Sequence, residues 1–280
     1  EVTMGTREFK IVSAMVVDIR EIYEVDAGAE RFNALVIGNT GTGRSQLLTT
    51  CRKPILLHSF DPGGSRTRAL QPLIESGDLV VDNRFEQDSI EKPVSWMLWK
   101  REFQTLVDKG AFGFFGTYAF DGITSASELL MNHLMKMDAK NTTGTPQLQN
   151  YLSQQVTLVN MIRQITTLPC DVIFTGHIGA DKDEVTGRMI TTLFVSGKLV
   201  TKIPLLFDEV YITQAKSTPD GTKYVLLTGN DGLYQARTRI GGGVFEKFEE
   251  PNVKAMLRKA GYDDSDRPSF KELEDEEGKT

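Results

Sequence analysis

The chain has 280 residues, of which 40% are hydrophobic and 25% charged, and its formal net charge is −6. That balance suits a chain that buries a sizeable core without disulfides or structural metal, and it excludes a disordered or disulfide-stapled polypeptide. Cys51 and Cys170 lie far apart beside apolar runs and read as reduced core thiols, no run approaches ~18 apolar residues, and no signal peptide is recognisable, so a cytoplasmic location without a membrane span is expected.

Short apolar runs alternate with longer helical patterns along the chain. Residues 33–38 (NALVIG) read as a buried strand that enters a glycine-rich turn, and 44–51 fit the first turns of a helix. Residues 54–60 (PILLHSF) form a second strand, stopped by Asp61-Pro62-Gly63-Gly64; 78–81 form a short third. A helix is expected over 93–110, a strand over 114–121 and a helix over 126–137. Thr145-Pro146 reads as the start of a helix running to about 167, with Leu148, Leu152, Val159 and Ile162 near one face.

Residues 170–177 (CDVIFTGH) are the next strand, and the polar stretch 179–196 is loop-like or a hairpin turning at Thr186-Gly187. Strands over 207–214, 223–228 and 233–239 are joined by Pro219-Asp220-Gly221 and Asn230-Asp231-Gly232 turns, and 252–260 is a short helix. Alternating strand and helix imply a mostly parallel sheet covered on both faces, with antiparallel strands near the C-terminal edge. From Asp263 onward eight acidic residues face three basic ones, which reads as a solvated tail; a sharper reading makes it an autoinhibitor competing with nucleic acid.

Gly38-Asn39-Thr40-Gly41-Thr42-Gly43-Arg44-Ser45 has the G-x-x-x-x-G-basic-Ser spacing of a phosphate loop, between a predicted strand and a predicted helix. Glycines let consecutive N–H groups turn inward onto phosphate oxygens. The basic side chain reaches the outer phosphates, the Ser45 hydroxyl suits Mg²⁺, and Gln46 completes the candidate ATP-binding set. Arg44 stands where lysine is usual; it can pair with phosphate but is planar and bulkier. Asp121, ending the strand YAFD, is the candidate carboxylate for the Mg²⁺ shell, with Thr124 near enough to help. No glutamate follows it, so Asp61, ending a strand placed beside the phosphate-loop strand, is the candidate base that orients water. His177, at the tip of its strand, is a candidate sensor of the terminal phosphate.

The stretches GNTGTGRS (38–45), PILLHSFDPGG (54–64), YAFDGITS (118–125), VIFTGHIGADKDEVTG (172–187), GKLVTKIPLLFDEVYI (197–212) and YVLLTGNDGLYQARTR (224–239) together resemble the bacteriophage-encoded AAA-type ATPases with a RecA-like P-loop core, related to phage single-strand-annealing recombinases. The likeness spans about 31–240. It implies a RecA-like ATPase domain over 31–250, an N-terminal extension or strand over 1–30, and a short helix with acidic tail over 251–280. It further implies ATP and Mg²⁺, a ring or filament of subunits, action on single-stranded DNA in recombination or replication, and a single-strand-binding protein as a further partner. DNA would meet the loop 178–196, with Lys182, Arg188 and Phe194 as contacts, opposed by Asp181, Asp183 and Glu184. Lys198 and Lys202 would reach a neighbour's terminal phosphate. Two positions depart from the pattern: Arg44, and Gly122 where a hydroxyl residue usually follows the strand aspartate. The alternative reading is a nucleotide-gated assembly module in which Arg44 holds ATP with little turnover; a small-molecule kinase is a weaker third.

Overall fold

The computed structural model describes residues 31–270 apart from 140, 142–143, 183–186 and 188. The centre of the sheet is parallel: β1 (Asn33–Gly38), β2 (Ile55–Ser59), β3 (Leu79–Asp82), β4 (Thr117–Asp121) and the inner half of β5 (Asp171–Lys182). β7 (Glu209–Thr218) joins β1 in parallel, and β8 (Gly221–Leu227) and the short β9 (Phe248–Glu249) follow antiparallel. The order across the sheet is β3-β2-β4-β5-β1-β7-β8-β9, and β6 (Met189–Leu193) folds back on the outer half of β5. This is the open, mostly parallel sheet with antiparallel strands near one edge that the sequence pattern implied.

Alternation along the strands divides the core in two. Leu35, Ile37, Tyr118, Phe120, Val172 and Phe174 point to one face, where they meet α3 (Ser95–Asp108), α4 (Ile123–Met137) and α5 (Leu148–Ile165). Ala34, Val36, Leu57, Ala119, Ile173 and Tyr211 point to the other, covered by α1 (Arg44–Leu48), α2 (Gln71–Ser76) and α7 (Val253–Ala260). A sheet buried on both sides needs near-continuous apolar strands, which is why β1 and β4 carry so little polarity. Both cysteines are buried and free. No helix among the described residues is long and apolar enough to cross a membrane.

Several boundaries differ from the sequence expectations. The helix expected to open at Thr145-Pro146 begins at Leu148, because Gln147 and Asn150 form a reciprocal capping box. Its expected apolar face holds only in the second half, where Ile162 is buried and Val159 packs on the core; in the first half Leu148 and Leu152 are exposed, while Asn150 and Gln154 are buried and Gln154 Nε2 donates to the Ser127 carbonyl at 2.7 Å. Residues 233–239 form no strand; Tyr234 and Arg237 make isolated bridges only, and Arg237 donates to the carbonyls of Pro204 and Phe207, both at 2.7 Å. α4 starts at Ile123, directly after the strand aspartate, instead of at 126.

Part of the expected solvated tail lies against the body. Asp266 accepts from the Lys53 amide at 2.7 Å and pairs with Lys254, Arg267 donates to the carbonyls of Gly113 and Pro169, and Phe270 packs edge-on against Phe115. The remaining tail, 271–280, and the N-terminal 1–30 lie outside the described residues.

Two buried polar groups test the core. Asp171, fully buried at the head of β5, accepts from the Phe32 amide at 2.9 Å and from Arg52 Nε at 2.7 Å. Stripping the cation from a buried pair leaves an uncompensated charge, so Arg52→Met is expected to cost about 3–5 kcal/mol in urea unfolding. His58 sits beneath α3, its Nδ1 accepting from Trp99 Nε1 at 3.0 Å and lying 2.9 Å from the Tyr118 hydroxyl. Burial pushes its pKa down to about 4, with Asp82 pulling the other way. The folded form therefore resists a proton that the unfolded chain accepts below about 6.5. Its contribution is complete above that pH and is lost as pH falls towards 4, a change on the order of 3 kcal/mol. His58→Asn should flatten that part of the stability curve, as read from urea midpoints between pH 7 and 4.

Candidate functional site

The catalytic and metal candidates lie at or just beyond the carboxyl ends of parallel strands. Pairing registers align Ser59 with Asp121, Asp121 with Thr175, Gly38 with His177 and Gly38 with Thr213. In open α/β sheets ligands bind in the crevice beyond these ends. Here the crevice is a cavity of about 750 Å³ lined by Thr40, Gly41, Gly43, Arg44, Ser45 and Gln46 on one side and by Asp61, Asp121, Ser125 and His177 on the other.

The loop after β1 is held from below. Thr42 Oγ1 bonds the Asn39 carbonyl and the Thr213 hydroxyl, each at 2.7 Å, and its amide donates to the Asn39 carbonyl at 3.3 Å. A Cβ on Gly38 would collide with the Thr213 and Thr42 hydroxyls. Gly43 has φ +92°, the left-handed region that favours glycine, and α1 begins at the next residue. Of the nine expected nucleotide contacts, Gly38, Asn39 and Thr42 build this base and the other six face the cavity.

Arg44 is largely but not fully covered, and its guanidinium meets His177 and Asp61. Its Nη2 donates to His177 Nδ1 at 3.1 Å and lies 3.8 Å from Asp61 Oδ2. The same Nη2 lies 3.4 Å from His177 Nε2, which in turn lies 3.0 Å from Asp61 Oδ2. Arg44, His177 and Asp61 thus form a contiguous polar chain. Arg44 Nη1 is buried with no partner. Burial pushes the guanidinium below its ordinary value while the charges of Asp61 and Asp121 oppose this, and arginine's high ordinary value keeps it cationic. A buried cationic donor without an acceptor, on the wall of a glycine-lined cavity, fits an anionic phosphate oxygen.

Asp61 differs from its expected setting. β2 pairs with β3 and β4, so two strands separate it from β1. Asp61 reaches the site from the turn beyond the strand, with Ser125 Oγ donating to its Oδ1 at 2.5 Å. Burial alone would raise its pKa; the hydrogen bonds from His177 and Ser125 and the charge of Arg44 outweigh this and hold it low. Asp121 is 2% exposed and accepts from the Thr175 hydroxyl. Burial raises its pKa, Thr175 opposes, and the nearby Asp61 adds to the rise, a setting that a bound divalent cation would relieve. Among the described residues no three His, Cys, Asp or Glu side chains form a metal cage. Mg²⁺ commonly takes one or two carboxylates plus phosphate oxygens and water, and the oxygen donors of Ser45 and Asp121 on one cavity fit that mode.

Gly122 has a physical reason to lack a side chain. Its φ is +103°, and a Cβ there would lie 2.8 Å from Asp61 Cγ and 3.0 Å from the Asp61 amide nitrogen. The hydroxyls of this region come instead from Ser125, on Asp61, and Thr124, which accepts from the His177 amide at 3.1 Å.

Sequence reasoning missed Glu86, Ser125, Thr175, Tyr224 and Pro251. Glu86 braces the Asp61 turn, accepting from Ser59 Oγ at 2.7 Å and from the amides of Gly63 and Ser65, both at 3.0 Å. Burial works against its charge, and these bonds hold its pKa low. Thr175 was detectable as the residue facing Asp121 across the ladder once the strand order is known. Nothing local marks Glu86, which lies in a turn after β3.

The DNA-contact candidates stand apart from the cavity. Lys182 is exposed at the end of β5, and Phe194, 57% exposed, lies over Gly179 with its amide on the His177 carbonyl at 2.9 Å. Arg188 lies outside the described residues. Lys198 and Lys202 are exposed at α6 (Leu199–Lys202) and do not line the cavity.

The close approach at Gly122 carries a prediction. Gly122→Ser would force a side chain into the left-handed region and against Asp61. It should cost about 1–3 kcal/mol from backbone strain alone, measured as a lowered urea midpoint.

Comparison with known proteins follows this geometry. No curated protein sequence matches the chain. Among solved structures it is similar to the KaiC-like protein PH0186 of Pyrococcus horikoshii OT3, at 10% identity and a TM-score of 0.40, over 73% of this chain and 80% of that one. It is also similar to the flagellar accessory protein FlaH of Methanocaldococcus jannaschii, at 14% identity and a TM-score of 0.41, over 82% and 88%. A family described as an AAA domain matches residues 30–240, the stretch that holds the phosphate loop and every residue of the Arg44–His177–Asp61–Asp121 constellation. The chain therefore belongs to the AAA domain family of nucleotide-binding P-loop proteins.

Proposed function

We propose that the chain is an Mg²⁺-dependent ATPase that works as an oligomer on single-stranded DNA, in phage recombination or replication. The observation that carries the ATPase reading is the meeting of Arg44, His177, Asp61 and Asp121 on one cavity with the glycine loop.

The loop amides between Gly38 and Ser45 would hold the phosphates, and Arg44 would pair with the terminal one through its unpartnered nitrogen. Ser45 and Asp121 would hold Mg²⁺, which when bound neutralises charge on the outer phosphates. Asp61 orients the attacking water and takes its proton as the new P–O bond forms and ADP leaves. A carboxylate has about four acceptor sites, so the bonds from His177 and Ser125 leave room for that water. Ser125 and His177 keep the carboxylate aimed, and Glu86 keeps its turn in place.

DNA action is supported by the hairpin of β5 and β6, which rises directly from His177 and carries the exposed Lys182 and Phe194. Phosphate drawing Arg44 away from His177 would alter the footing of that hairpin.

Phosphate release with and without single-stranded DNA tests this reading. Turnover should require Mg²⁺ and rise with DNA; a rate indifferent to DNA would remove the DNA part. Asp61→Asn should cut turnover by about 10²–10⁴ while ATP still binds. The second reading, a slow nucleotide-gated module, is favoured by the hold of His177 and Asp61 on Arg44. Arg44→Lys separates the two: a jump in turnover identifies a switch, and an unchanged rate shows that arginine is no handicap.

A further inference from the structure

Two groups of different chemistry line the cavity. Arg44, His177 and Asp61 contact one another, with Asp121 close by, while Tyr224 and Pro251 also line an adjoining cleft that holds none of those four. Tyr224 is the one Phe, Tyr or Trp among the described residues lining the cavity. We infer that Tyr224 and Pro251 form the seat for the nucleobase, a flat stacking surface that accepts any base and favours the larger purines. The seat presupposes the nucleotide-binding reading above.

Its geometry comes from three local choices. Tyr224 lies on β8 opposite Ala215 of β7, a small partner. Its ring comes to 3.4 Å from the place a Gly43 Cβ would occupy, so it rests on the loop itself. Pro251 is brought beside it because β9 pairs Glu249 with Leu226, two residues beyond Tyr224, and the chain then turns into α7.

Tyr224 is 45% exposed, whereas its successors Val225, Leu226 and Leu227 are buried. A large aromatic ring left half-uncovered at the rim of an anion-binding loop lacks a packing partner on its outer face. A base stacked there would supply one, because every base has a π-face whatever its edge groups. The polar group suits the terminal phosphate, since the candidate base and metal carboxylates stand there. A nucleotide laid along the loop then places its base at Tyr224.

A second cleft of about 520 Å³ shares Tyr224 and Pro251 and is also lined by Thr222, Lys223 and Glu250. Those three can meet ribose or base edges. Glu249 is buried, and its carboxylate already holds Lys259 and the Glu246 amide.

Calorimetry with two probes, ATP·Mg²⁺ and inorganic tripolyphosphate·Mg²⁺, tests the seat. Tyr224→Ala should weaken ATP about 5- to 100-fold and leave tripolyphosphate unchanged. Tyr224→Phe should bind ATP as the native chain does, and the native chain should hold ATP and GTP more tightly than CTP and UTP. Equal ATP binding by the native chain and Tyr224→Ala would overturn the seat while sparing the phosphate loop. An equal loss of both probes in Tyr224→Ala would also overturn it, by showing that the ring only props the loop. A native chain that holds neither probe would overturn the nucleotide reading and the seat together.

Discussion

The parallel ladder between β1 and β5 is the constraint on which the site depends. It pairs Gly38 with His177, so the first glycine of the phosphate loop and the tip of the histidine strand stand side by side. The next ladder sets Asp121 against Thr175 and the one after sets Ser59 against Asp121. A slip of one residue in any of them would turn each side chain to the opposite face of the sheet. Both faces are apolar, so side-chain size opposes the slip: Leu35 and Ile37 fill one core, and the smaller Ala34 and Val36 fit the other. The chemistry at the strand ends is thus positioned by hydrophobic packing well inside the molecule.

Much of this was readable beforehand. The phosphate loop, the strand ending in Asp121 and the strand ending in His177 are local patterns, since each is a short apolar run closed by a polar or glycine signal. Asp61 was recognisable as a strand-ending acid, but its neighbour was misjudged, because strand order is a property of the whole sheet and leaves no mark near residue 61. Asn150 and Gln154 misled the reading of α5 for a related reason. A polar residue is buried when a partner such as the Ser127 carbonyl awaits it, and that partner is 27 residues away. Glu86 and Tyr224 were invisible for the same cause: each reaches the site through contacts distant in sequence.

Arg44 concentrates the electrostatic character of the site. A guanidinium spans more than one acceptor, and here one nitrogen engages His177 and approaches Asp61 while the other is left without a partner in a buried place. Leaving a buried charged donor unsatisfied costs free energy, and two carboxylates nearby recover only part of it. An anion reaching this wall meets a cation already largely shielded from solvent.

Gly122 and Asp61 belong to different strands, yet they occupy space that admits only one side chain between them. Position 122 is not free to gain a side chain alone. A hydroxyl residue installed after the strand aspartate would have to be accompanied by a shorter residue, or a redirected turn, at 61. In mutational terms a shorter residue at 61 relieves the collision but not the strain of the left-handed backbone at 122.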